Sequence, residues 1–138
     1  MSVKPIIAFT MGDPAGVGPE LCLSMLVDKQ VRSYSTPVIF GNADLLKRVA
    51  HLARLPFPRT VIPLAEWAAT PVKTPALVDI PCLDMAEVAP GRIAASCGAA
   101  AYRCLEVAIQ EAIAKRVSAI VTAPLNKESL HLAGVPHP

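Results

Sequence analysis

The sequence has little that would take it to a nucleic acid or a membrane. Aromatic residues make up only 4% of its 138 residues, too few for base-stacking platforms. The formal charge is +2, and no run of Lys or Arg exceeds a pair such as Lys47-Arg48, so no basic footprint is present. No apolar stretch approaches the ~20 residues of a membrane helix. The six or so apolar residues after Pro5 fall short of the roughly seven to fifteen of a secretory leader. The chain reads as cytoplasmic, with no nucleic-acid and no membrane partner.

Metal-ligand patterns are also missing. The four cysteines, Cys22, Cys82, Cys97 and Cys104, form no C-x-x-C pair. Of the three histidines, His51 and His131 have no suitably spaced Asp, Glu or His partner, so each reads as a surface or boundary residue, and His137 is left unassigned. The thiols read as small buried hydrophobes, with Cys97 and Cys104 on one helix face.

What is present is a core. The sequence is 53% hydrophobic and 17% charged, the balance of a well-packed domain. Pro5 to Met11 predicts a buried strand ending at Gly12-Asp13-Pro14. Pro19-Glu20 opens a helix expected to run to about Val31, with Leu21, Met25 and Leu26 buried. Val38-Ile39-Phe40 predicts a second strand. Asn42 is the expected N-cap of a helix from Ala43 to about Arg54, with Leu45, Leu46, Val49 and Leu52 at helical spacing. This alternation predicts a parallel α/β sheet.

Prolines at 56, 58, 63, 71, 75, 81 and 90 break the next stretch into expected edge strands and loops, Thr60-Val61-Ile62 and Ala76-Leu77-Val78 among them. Trp67 reads as a packing residue. Ala94 to Arg116 predicts a long helix with Ala101, Leu105, Ala108, Ile109, Ala112 and Ile113 on its buried face and a Glu111–Lys115 pair outside. Ser118 to Ala123 predicts a buried strand. A short helix from Lys127 to Ala133 follows, closed by Gly134.

Two strand-to-helix turns can carry chemistry. In an open parallel sheet, ligands bind at the carboxyl ends of the strands. The first turn offers Gly12, Asp13, Pro14, Gly16 and Gly18. Its glycines serve either ligand approach or turn geometry alone, and Asp13 can orient a hydroxyl or ammonium group. It does not satisfy G-x-G-x-x-G, since Leu21 stands where a glycine is required, and it is not a P-loop. The second turn offers Thr122, Asn126 and Lys127 as hydrogen-bonding groups, with capping by Asn126 and a solvated Lys127 as the alternative. Both turns are expected on one edge of one sheet, with Asp13 and Lys127 in the cleft wall.

The string Thr10-Met11-Gly12-Asp13-Pro14-Ala15-Gly16-Val17-Gly18-Pro19-Glu20 resembles the opening signature of the 4-hydroxythreonine-4-phosphate dehydrogenases. Gly91 to Gly98 is similar to that family's next block. Val121 to Lys127 with Ala133-Gly134-Val135-Pro136 is similar to a third. The resemblance implies a three-layer α/β fold, its sheet parallel or mixed, like that of isocitrate and isopropylmalate dehydrogenases. It implies NAD- or NADP-dependent oxidation, with decarboxylation, of 4-phosphohydroxy-L-threonine in vitamin B6 synthesis. It further implies a divalent metal (Zn, Mg or Co) as Lewis acid and a homodimer.

In the family, the metal-binding histidines and a substrate-contacting Gly-His-Thr-Glu block lie beyond the part matched here. Residues 1–138 are therefore expected to be the N-terminal α/β segment of a two-domain dehydrogenase, inactive alone. The alternatives are a related phospho-threonate or erythronate dehydrogenase, and a non-catalytic nucleotide-binding module.

Overall fold

The computed structural model describes residues 3–136; His137 lies outside them. The strands are β1 (Ile6–Thr10), β2 (Thr36–Gly41), β3 (Val61–Pro63), β4 (Ala76–Asp79) and β5 (Ala119–Thr122). The helices are α1 (Gly18–Val27), α2 (Lys29–Tyr34), α3 (Ala43–Ala53), α4 (Leu64–Trp67), α5 (Ala95–Ile113) and α6 (Lys127–Leu132). The five strands form one sheet in the order β3-β4-β2-β1-β5. Every neighbouring pair is parallel.

Alternating side chains divide the core between the two faces of this sheet, as the pleat requires. On one face Ala8, Val38, Phe40, Ala76 and Val78 pack with Cys97, Ala100, Cys104, Val107 and Ala108 of α5. On the other, Phe9, Ile39 and Leu77 pack with Cys22, Leu23 and Leu26 of α1 and Leu46 and Ala50 of α3. The result is three layers, with all six residues of β2 buried. Pro37 sits inside this central strand without breaking it. Thr36 N–H turns to β1, bonding the Pro5 carbonyl at 2.8 Å. Position 37 therefore points its missing donor to the other side, where pairing with β4 begins only at Val38.

Several elements differ from expectation. The first helix stops at Val27, because the Asp28 side chain accepts from Val31 N–H at 2.9 Å and starts α2 afresh. Its buried residues are Cys22, Leu23 and Leu26, while Leu21 is 45% exposed. Leu52 of α3 is exposed as well.

The strand Ala76-Leu77-Val78 is interior. Its flanking prolines lie outside the ladder, and all three residues are fully buried. Conversely, the strand expected to be buried, β5, is the exposed edge next to β1.

The buried face of α5 is rotated from the expected one. Cys97, Ala101, Cys104, Val107, Ala108 and Glu111 are buried, whereas Ile109 and Ile113 are exposed. Glu111 pairs with Arg116 rather than Lys115 and accepts from Trp67 Nε1 at 2.7 Å. Trp67 is the packing residue expected, edge-on to Phe40 at 5.5 Å.

Candidate functional site

The chain runs from β1 to β2, crosses to the far edge at β3, comes back to β4 beside β2, and then passes through α5 to β5 on the opposite side of β1. The direction of winding therefore reverses between β1 and β5. The loops that leave such a pair at their carboxyl ends diverge to opposite faces and open a crevice. Here those loops are the two turns singled out in the sequence.

The turns are joined through their backbones. Asp13 N–H donates to the Pro124 carbonyl at 3.0 Å, and Ala123 N–H donates to the Thr10 carbonyl at 3.1 Å. Gly12 has φ +70°, and a Cβ there would stand 2.5 Å from the Pro124 oxygen. Gly18 is tighter still, since a Cβ there would stand 2.1 Å from the Met11 carbonyl oxygen and 3.0 Å from the Ala123 Cβ of the second turn. These two glycines let one turn approach the other. Gly16 differs, since a Cβ there would meet nothing nearer than the Asp13 carbonyl at 3.5 Å.

Asp13 is 5% exposed. Its Oδ1 accepts from Ala15 N–H at 2.7 Å, which folds the loop back on itself. Beneath it, burial pushes the Cys97 thiol up, and the Asp13 charge adds to the push. A third segment joins the site: Gly91, at φ +77°, donates its N–H to the Ala15 carbonyl at 2.8 Å.

Between the three segments lies a cavity of about 240 Å³, with Asp13, Gly16, Arg92 and Asn126 in its wall. Asn126 Oδ1 accepts from Ser129 N–H at 2.9 Å as the N-cap of α6, leaving its amide N–H₂ as a donor. Arg92 makes no ion pair among the described residues.

The structure thus brings Asp13, Gly16 and Asn126 together. Gly12 and Gly18 stand behind the wall as backbone packing points. Pro14 turns to a separate surface hollow with Glu20 and Arg48. Thr122 and Lys127 are exposed, one ending β5 and the other opening α6, and neither lines the cavity. The cation that lines this cavity is Arg92 rather than Lys127. The one signal for Arg92 in the sequence is Pro90-Gly91, a turn pair ahead of a long helix.

His51 and His131 are both exposed. Among the described residues no three His, Cys, Asp or Glu side chains stand together as a metal site. No helix among them is long and apolar enough to cross a membrane.

A parallel α/β sheet with a crevice at its reversal point defines the doubly wound class, in which ligands bind at that point. The particular kind follows from comparison with known proteins. The family model for the pyridoxal phosphate biosynthetic protein PdxA matches residues 33–138, and the chain belongs to that family.

The chain is 39% identical over 139 residues to a D-threonate 4-phosphate dehydrogenase from Pectobacterium atrosepticum, covering 99% of this chain and 42% of that protein. It is 35% identical over 136 residues to a 4-hydroxythreonine-4-phosphate dehydrogenase from Trichlorobacter lovleyi, covering 98% and 40%. The crystal structure of a 4-hydroxythreonine-4-phosphate dehydrogenase from Burkholderia phymatum superposes with a TM-score of 0.86 at 29% identity, covering 99% and 41%. The chain spans about 40% of the length of the relatives it matches.

Proposed function

We propose that residues 1–138 are the N-terminal α/β segment of a two-domain dehydrogenase and form one wall of its substrate cleft. The substrate is 4-phosphohydroxy-L-threonine, oxidised and decarboxylated with NAD or NADP and a divalent cation in a cytoplasmic homodimer. The observation that carries this reading is the convergence of both strand-end turns and the Gly91-Arg92 segment on one cavity at the sheet's reversal point.

Arg92 and the Asn126 amide supply donors for an anionic group, and a guanidinium suits a carboxylate or phosphate. Asp13 holds the loop through Oδ1, and its second oxygen orients a substrate hydroxyl or ammonium. Gly12, Pro14 and Gly18 hold the shape of the turn, while Thr122 and Lys127 form its outer rim.

The residues present do not fit the whole set of helpers. Among the described residues no three His, Cys, Asp or Glu side chains stand together to hold a metal. A cavity of about 240 Å³ takes a substrate-sized group and is too small for an entire dinucleotide. The chemistry of this chain is binding and orientation.

A second reading, D-threonate 4-phosphate as substrate, is favoured by the 39% identity to the Pectobacterium enzyme. The two compounds share the phosphate and differ in an ammonium against a hydroxyl, the group offered to Asp13.

Calorimetric titration of the purified chain with each compound tests both readings. Binding weakened about ten-fold by Arg92→Ala, or ~1.4 kcal/mol, is expected, and the tighter ligand identifies the substrate. Affinity unchanged by Arg92→Ala would overturn the site. The chain alone is expected not to reduce NAD in the presence of Mg²⁺ or Zn²⁺. Metal-dependent NADH formation would refute its role as one wall only.

A further inference from the structure

All four cysteines are free thiols, and the fold sorts them unequally. Cys22 is buried on the inner face of α1, where burial pushes its thiol up to about 12. Cys97 is buried beneath the Asp13 loop and also pushed up. The other two meet: Cys82 Sγ and Cys104 Sγ lie 3.8 Å apart across 22 residues of chain.

Cys82 stands half-buried in the segment after β4, whereas Cys104 is fully buried midway along α5. The hydrogen bond with Cys104 holds the Cys82 thiol below its ordinary value, against burial and the Asp79 charge, with Arg103 assisting. The same bond and burial push Cys104 well up. One thiol of the pair is thus reachable and activated, and the other waits directly behind it.

We propose that Cys82 and Cys104 form a thiol–disulfide exchange site that takes a low-molecular-weight disulfide such as oxidised glutathione. Cys82, after losing its proton to solvent, attacks one sulfur of the small disulfide. The S–S bond breaks, one small thiolate leaves, and a mixed disulfide forms on Cys82. Cys104, deprotonated in turn, attacks Cys82 Sγ and expels the second small thiolate. Two protein thiols have lost two electrons, and the small disulfide has become two thiols.

The two sulfurs must close from 3.8 Å to about 2.05 Å, a side-chain adjustment. The bond ties the segment after β4 to α5. That segment continues to Gly91 and Arg92, so oxidation restrains the third wall of the cavity. Neither thiol lines the cavity, and the exchange needs no substrate there.

The test incubates the purified chain with excess oxidised glutathione, alkylates the remaining thiols and maps the peptides. Loss of two hydrogens, two protected thiols and a Cys82–Cys104 linkage reversed by dithiothreitol are expected. Cys104→Ala is expected to stall as a glutathione adduct on Cys82, and Cys82→Ser to form no internal bond. The oxidised chain is expected to unfold several degrees higher than the reduced one. Four alkylatable thiols after treatment, or a bond joining any other pair, would overturn the proposal.

Discussion

The two turns of the cavity are built in opposite ways. Residues 11–15 are buried, and Gly12 and Gly18 press directly on backbone atoms of their neighbours. The Thr122–Lys127 turn has no comparable burial: Thr122, Pro124 and Lys127 are exposed, and its order comes from the Asn126 cap and its bonds to the first turn. A glycine-rich signature at a strand end is easily read as room left for a ligand. Here most of that room is already filled by the second turn. The first turn acts as an anvil and the second as the adaptable face. Of the first turn's glycines, Gly16 alone has space that a ligand could use.

The strongest test of that contrast is to add a methyl group where backbone meets backbone. At Gly98 of α5, a Cβ would fall within the Ser129 carbonyl of α6. At Gly12 it would meet the Pro124 oxygen at 2.5 Å from a backbone at φ +70°. Neither obstacle is the movable end of a side chain. Gly98→Ala and Gly12→Ala are each expected to cost about 3 kcal/mol or more, or roughly 10 °C in thermal midpoint. Calorimetric midpoints within ~2 °C of the parent would show that the turns are loosely coupled and the anvil picture wrong.

A reference remote from both turns sharpens the comparison. At the far end of α5, buried Glu111 accepts from Trp67 Nε1 at 2.7 Å and pairs with Arg116, whose Nη2 lies 3.0 Å from Oε1. Glu111→Ala leaves the indole N–H buried and unpaired, for an expected loss of about 1–3 kcal/mol. Glu111→Gln keeps an acceptor and removes only the charge, so it should lose less.

Arg116 first, and then Trp67, hold the Glu111 carboxyl below its usual 4.5 against burial. A carboxyl depressed in the folded state adds stability at pH above its unfolded value and loses it as pH falls through the folded value. The gap between parent and Glu111→Gln should therefore be full at neutral pH and fade below 4.5. Urea midpoints at several pH values measure it, and a gap that widens on acidification would contradict the pairing.

The elements legible in the sequence were those with local causes. A short apolar run before Gly-Asp-Pro became β1, Asn42 capped α3 as its side chain allows, and both turns fell on one sheet edge because parallel strands share their ends. What was not legible depended on distant partners. In α5, alanines occupy so many positions that hydrophobic spacing does not choose a face, and contact with the sheet chose Cys97, Cys104 and Val107 over Ile109 and Ile113. Apolar content predicted burial for β5, but burial depends on what lies beside a strand, and among the described residues β5 has β1 on one side only. Arg92 escaped because it enters the site from a segment some eighty residues past the first turn, fixed by the Gly91–Ala15 bond. The Cys82–Cys104 meeting escaped for the same reason: β4 and α5 bring together residues that no local spacing pairs.

The smallest expected change in stability falls at Gly16, and it separates the two roles of glycine most cleanly. Its φ is not in the left-handed region, and an added Cβ would make ordinary contacts with Asp13 at 3.5 and 3.7 Å. Gly16→Ala is therefore expected to leave folding unchanged or to stabilise it by up to ~1 kcal/mol, by restricting the unfolded chain. Gly16 also lines the cavity of about 240 Å³ beside Asp13 and Arg92, so the new methyl group narrows the ligand's space. The expected result is a thermal midpoint equal to or above the parent's, with weaker calorimetric binding of the phosphorylated hydroxy acid. A loss of stability like that of Gly12→Ala would erase the distinction between packed and open glycines. Undiminished affinity in a stable Gly16→Ala chain would move the ligand away from this wall, while leaving intact the backbone contacts that join the two turns.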